Sequence, residues 1–349
     1  MLSSGRPMPF SEIHGQDRAV DALRAALRRG TLHHAYMLAG PEGVGKGTVA
    51  RLLAQAANCE GGRPDDACGA CGPCRKIERG VHPDVVVVEP ERVMARAGRW
   101  EPKGGRTPSR DIVVDQIREL VDRRLSLRRY EGRHRFVILD PADAMNVQAQ
   151  NALLKTLEEP PPDTTLALVS SSADALLPTV RSRCLRLGFA PLPVELLVER
   201  LVAQGRSPEK ARLAASVAAG SLGRALALDE DALAERREAV EQAARLPPDD
   251  AGAWVAFARD RARDREAARE TCELLLVWLR DVLARAMGGD GAPLALGELA
   301  QETAAAAAAL GPVEAVRRGD AVRRALAALR HNAAPVLALE RMLIGWFHG

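Results

Sequence analysis

The chain has 349 residues, 47% of them hydrophobic and 27% charged, which favours two or three domains and excludes a disordered polymer. Its 49 Lys and Arg stand against 46 Asp and Glu, a net charge of +3 that is too small to announce a nucleic-acid binder, so any DNA contact must be local. No run approaches the roughly 18 to 20 apolar residues of a membrane span, and the start MLSSGRPMPF lacks the parts of a secretory signal, so a cytoplasmic protein without a membrane partner is expected.

AYMLAG (Ala35 to Gly40) is a short apolar run ending in glycine, the mark of a buried strand feeding a loop. That loop, GPEGVGKGT, comes close to the phosphate-binding pattern of Gly, four residues, Gly-Lys and a hydroxyl residue. Gly40, Gly45 and Lys46 are in place, but Gly47 stands where a Ser or Thr should hold magnesium. Thr48 follows, and one residue along a helix is a rotation of about 100°, which points it elsewhere. Val49, Leu52, Leu53 and Ala56 fall at helical spacing, so strand, loop and helix come in the order the motif needs. In such a loop, backbone N–H groups and the helix N-terminus wrap phosphates while the lysine bridges the terminal ones. The candidate nucleotide-binding residues are Gly40, Gly43, Gly45, Lys46, Gly47 and Thr48, joined below by Asp140. Binding of ATP is expected to persist better than magnesium-dependent turnover.

Four of the six cysteines crowd together as Cys59, Cys68, Cys71 and Cys74, with two Cys-x-x-Cys steps sharing Cys71. In a cytosolic chain this argues for metal rather than disulfides. Four thiolates at this spacing, separated by GACGPC, can wrap one tetrahedral ion in a module at about residues 58–80. Zinc in a structural role is the expected occupant; iron–sulfur and redox sites are the alternatives, recommended by neither spacing nor context. Cys272 reads as a core residue, and His82 is not expected to be a ligand.

DVVVVEP (84–90), RFVILDP (135–141) and TLALVSSS (165–172) are further strand runs, of the kind covered on both faces. Helical patterns at Ile112 to Leu127 and Val147 to Leu157 alternate with them, which implies a parallel α/β sheet. Residues 94–110 carry Gly, Pro and Arg without periodicity and read as a mobile surface loop. Asp140 ends its strand, but Pro141 occupies the position of the Glu that orients water in ATPases of this general class, and proline can do no such thing. Asp143, three residues on, reads as a solvated or capping group. On spacing alone, Arg183 in Ser182-Arg183-Cys184 is a solvated arginine without a role.

Past Phe189 the chain turns helical throughout, with LPPDD (246–250) as a break and the alanine run 304–309 as a packed helix. The expected division is an α/β nucleotide-binding-like domain over 1–188, a small helical domain over 189–245 and a larger all-α one over 246–349, the last two being the lid and the collar of the family resemblance given next.

HHAYMLAGPEGVGKGTVARLLAQAANC, the four-cysteine module, VDQIREL, ILDPADAMNVQAQNALLKTLEEPPPDT, LLPTVRSRC and GSLGRAL occur in this order. Together they resemble bacterial clamp-loader subunits of the AAA+ class, and most closely the delta prime branch of the DNA polymerase III holoenzyme. The resemblance is strong over about residues 11–228 and weaker at HNAAPVLALERML. It implies an AAA+ domain with a lid and a collar, in a hetero-pentameric ring with motor and delta subunits that loads a sliding clamp on primer-template DNA. It also implies that Arg183 is a finger acting in trans on a neighbour's ATP. Motor subunits carry a hydroxyl, a Glu and a lid arginine where this chain has Gly47, Pro141 and Gly223, with Arg224 displaced by one. The departures suit a stator that lends an arginine without hydrolysing ATP itself. The rivals are an active motor subunit using Thr48 and Asp143, a small-molecule P-loop kinase, for which no substrate acid or base stands beside the loop, and a stand-alone zinc-bearing DNA binder.

Overall fold

A computed structural model describes residues 9–228, 230–292, 294–330 and 333–348. The start of the chain up to Met8, and His331 and Asn332 at the head of the C-terminal matching segment, lie outside the described residues. The structure divides into two compact units, residues 1–193 and 194–349.

The first unit is built on five parallel strands: β1 (Ala35–Ala39), β2 (Val85–Val88), β3 (Arg135–Leu139), β4 (Thr164–Ser170) and β5 (Leu185–Gly188). Their order across the sheet is β2-β3-β4-β1-β5. The connections include α1 (Asp17–Arg29, ahead of β1), α2 (Lys46–Asn58), α3 (Gly72–Glu78), α4 (Glu91–Arg96), α5 (Val114–Glu119), α6 (Val147–Glu158) and α7 (Pro178–Arg181). Alternate side chains of β1 to β4 enter opposite cores, as a period of two requires. Tyr36, Leu38, Phe136, Ile138, Ala167 and Val169 pack with α1 and α2, while Met37, Val137, Leu139, Leu166 and Leu168 pack with α5 and α6. Burial on both faces explains why β1, β3 and β4 read as unbroken apolar runs.

Three details depart from the sequence reading. β5 is a strand that the reading lacked: only four residues long and at the sheet edge, it buries Leu187 alone, too little pattern to recognise. The helix from Val114 passes into a π-helical turn at Leu120–Leu125 rather than running as one α-helix. Finally, residues 94–110 are not a loose loop. Glu91 is fully buried, and its carboxylate accepts from both Arg106 terminal nitrogens at 2.6 and 2.7 Å, from Trp100 Nε1 at 3.0 Å and from the Ser109 backbone N–H at 2.8 Å. A buried carboxylate with four donors fixes the segment that supplies them.

The second unit is helical, as expected: α8 (Val194–Ala203), α9 (Pro208–Val217), α10 (Leu222–Ala227), α11 (Glu230–Ala244), α12 (Ala251–Arg261), α13 (Arg265–Gly288), α14 (Ala300–Arg330) and α15 (Pro335–Phe347). The alanine run lies inside α14, which is interrupted by Gly311 and Pro312. LPPDD separates α11 from α12, with the Asp250 carboxylate capping the Ala253 N–H. Cys272 is fully buried in α13, as its apolar neighbours predict.

Candidate functional site

The candidate nucleotide residues gather at the carboxyl ends of the strands, where open α/β sheets bind ligands. Gly40 follows β1, and a Cβ there would lie 2.2 Å from the Phe189 carbonyl oxygen. The backbone approach that makes the loop possible therefore requires glycine. Gly43 and Gly45 have φ of 73° and 98°, and Gly45 is the N-cap from which α2 starts. Lys46 is 5% exposed, and its ammonium donates to the Gly40 carbonyl at 2.8 Å and to that of Pro41. It straps the loop to itself. Burial pulls Lys46 below its ordinary pKa, partly offset by Asp140, Asp143 and Glu42.

Asp140 and Gly47 decide what the loop can hold. A Cβ built on Gly47 would sit 2.4 Å from Asp140 Oδ2 and 3.6 Å from Arg51 Nη1. The space in which a Ser or Thr would offer its oxygen to magnesium is taken by the carboxylate itself. Burial raises the Asp140 pKa, against the pull of Arg51 and Lys46. The glycine cradle fits phosphate in shape, but these residues do not fit a magnesium ion held in the usual manner between a hydroxyl and this aspartate. Thr48 lies one position further on α2. Asp143 takes the capping role, one of the two expected of it: its two oxygens accept from the Ser171 N–H at 3.0 Å and the Ser171 hydroxyl at 2.9 Å, so it braces the end of β4.

The four cysteines come together. Their sulfurs all lie within 4.8 Å of one another, compatible with one tetrahedral ion. The Cys59 sulfur accepts from the Cys68 N–H at 3.2 Å and the Cys68 sulfur from the Cys71 N–H at 3.3 Å, bonds that favour thiolates. Burial raises the Cys59 and Cys74 thiols; at Cys68 it also works upward, but the N–H groups of Cys71 and Ala70, together with the neighbouring Cys59 and Cys71 sulfurs, outweigh it and bring that thiol to about 6. The donor set fits a thiolate-bound metal. Between the first two cysteines lie residues whose part the sequence does not announce. Asp65 pairs with Arg24 at 3.0 Å and Arg28 at 2.6 Å on α1, and Asp66 accepts from the Phe10 N–H at 3.0 Å. His82 is buried with Nδ1 accepting from the Asp84 N–H at 3.1 Å, and it stands outside the cysteine cluster, as expected.

Arg183 lies just past α7, 34% exposed, with Nη2 2.6 Å from Glu158 Oε1. In the second unit, Arg224 follows the cap made by Ser221 and pairs with Glu273 of α13. Its charge is already committed there.

Residues 15–193 match the family described as DNA polymerase III, delta subunit, just over half of the chain. It belongs to that family. Among its curated relatives is DNA polymerase III subunit delta' of Bacillus subtilis (strain 168), 31% identical over 281 residues, which cover 79% of each chain. The corresponding subunit of Pseudomonas aeruginosa is 42% identical over 160 residues, 46% of this chain and 44% of that one. DNA polymerase III subunit tau of Escherichia coli (strain K12) is 34% identical over 235 residues, 66% of this chain and 34% of that one. The delta-family chain thus spans about a third of the tau relative. No helix among its described residues is long and apolar enough to cross a membrane.

Several site residues of this DNA polymerase III family member escaped sequence reading. Arg51 looked like any exposed position of an amphipathic helix, and Glu158 sat within NALLKTLEEPP without a partner to give it meaning. Asp65 and Asp66 had one available signal, two adjacent carboxylates between metal-spaced cysteines.

Proposed function

We propose that this chain is the delta prime type subunit of a DNA polymerase III clamp loader. In this reading it does not hydrolyse ATP at its own loop, and it supplies Arg183 in trans to the ATP of a neighbouring motor subunit. The observation that carries the passive half is the Asp140 carboxylate lying within 2.4 Å of where a Gly47 side chain would begin. Pro141, where a water-orienting Glu would stand, removes a second requirement of hydrolysis. The active-motor alternative loses ground because Asp143 is bonded to Ser171 and Thr48 stands one helical position, about 100° of rotation, past the place of the missing hydroxyl.

The remaining parts follow from the same reading. Residues 189–245 serve as a lid and 246–349 as a collar in a hetero-pentameric ring with motor and delta subunits. The ring places a sliding clamp on primer-template DNA. The cysteine cluster holds a structural zinc, because four sulfur ligands leave no open coordination position. The loop of residues 40–48 is kept for its shape and for metal-independent contact with phosphate. Arg183 contributes a guanidinium able to stabilise charge developing on a transferred phosphoryl group.

The test uses the full chain, alone and in the assembled ring. Alone, it should show no magnesium-dependent ATP turnover above background. Turnover of several per second, typical of an enzyme, would overturn the passive reading. In the ring, Arg183→Ala should remove turnover at one interface while assembly stays intact.

A further inference from the structure

Arg183 does not stand free. Its Nη2 donates to Glu158 Oε1 at 2.6 Å, and its Nη1 donates to the Thr179 carbonyl at 2.9 Å and lies 3.4 Å from Ser182 Oγ. Glu158 is the last residue of α6, whereas Thr179 and Ser182 belong to α7 and its C-cap. Two separate elements therefore hold one guanidinium.

The pair faces solvent, with Arg183 34% and Glu158 49% exposed, and such pairs contribute little to folding. What it does fix is direction. An arginine side chain has large rotamer freedom, and a planar guanidinium held at two edges keeps much less of it. Because the group has five N–H donors, it can keep Glu158 and Thr179 and still present N–H groups to an anion.

We propose that Glu158 is a positioning residue for Arg183, orienting the guanidinium before it meets the ATP of the neighbouring subunit. This rests on the reading of Arg183 as a trans finger. Charge stabilisation is most effective when the donor is oriented ahead of the reaction. Glu158 touches neither nucleotide nor reacting atoms, and its effect must pass through Arg183.

The experiment measures ATP turnover of the assembled ring containing full-length chain. Glu158→Ala should lower kcat about three- to tenfold with KM for ATP nearly unchanged, the scale of immobilising one long side chain. Glu158→Gln, which keeps an acceptor, should recover most of that loss. Adding Glu158→Ala to Arg183→Ala should change nothing further, because both act through one group. Ring assembly and thermal unfolding should be unaffected by the Glu158 variants. Full kcat in Glu158→Ala while Arg183→Ala is impaired would overturn the inference, as would losses that multiply in the double variant. Undiminished turnover in Arg183→Ala would instead remove the finger itself, and the positioning role with it.

Discussion

The Asp140 carboxylate stands at the mouth of α2 in the place where a side chain at position 47 would begin, 2.4 Å from a Cβ added to Gly47. Loss of the hydroxyl and placement of the aspartate are therefore one feature rather than two. Gly47→Ser should fail to create an ATPase even though it completes the sequence pattern. The new Cβ must push the carboxylate aside in a site where burial already raises its pKa. The atom displaced is the far end of a half-buried side chain, so the cost in stability should be small, within about 1 kcal/mol by urea unfolding of the full chain. Pro141 still leaves no group to orient water. An ordinary magnesium-dependent turnover in this single variant would show that the hydroxyl was the whole deficit.

How much of this could be seen in the residues alone depends on how locally each feature is encoded. β1, β3 and β4 are buried on both faces, so their apolar runs announced them. The loop of residues 40–48 was legible because its glycines and lysine are contiguous. The order around residues 94–110 was not, because it depends on Glu91 meeting donors from Trp100, Arg106 and Ser109, partners nine to eighteen positions away with no period. Glu158 and Arg183 are 25 residues apart, and only the crossing of β4 brings them together. Asp140 at its strand end was foreseen, but its intrusion over Gly47 is a matter of ångströms and has no signature in spacing.

The cysteine module should act as a clasp on the N-terminal segment. Asp65 and Asp66 lie between Cys59 and Cys68 and hold Arg24, Arg28 and the Phe10 backbone, so order among the cysteines is order for α1. Elemental analysis should find one zinc per chain, and Cys71→Ser should release it. Metal at a hundredfold excess over its Kd stabilises the native state by about 2.7 kcal/mol, so chelation should lower the unfolding midpoint. Hydrogen exchange across α1 should rise in the same sample. A chain that is metal-free as purified, and melts identically with and without chelator, would end the metal assignment.

A pH-dependent clasp lies just ahead of β2. Asp84 is 3% exposed, and its carboxylate accepts from the consecutive N–H groups of Tyr130, Glu131 and Gly132 at 2.9, 2.9 and 2.7 Å. Burial works to raise its pKa, but these three donors and the Arg135 charge outweigh it, so the folded value lies below the ordinary one. Because the folded pKa is depressed, the stabilisation is fully present above the unfolded carboxylate value near 4 and is lost as pH falls through the folded value. Asp84→Asn keeps the shape but removes the charge and turns amide hydrogens toward backbone donors. The variant should lose about 1 to 3 kcal/mol at neutral pH, with faster exchange of the Tyr130, Glu131 and Gly132 amides. Its deficit against the unaltered chain should shrink as the pH drops below about 4, where Asp84 of the unfolded chain takes up a proton that the folded carboxylate still refuses, and should vanish only below the lower folded value. A deficit of the same size at pH 7 and pH 3 would mean that these donors do not depend on the ionised form of Asp84.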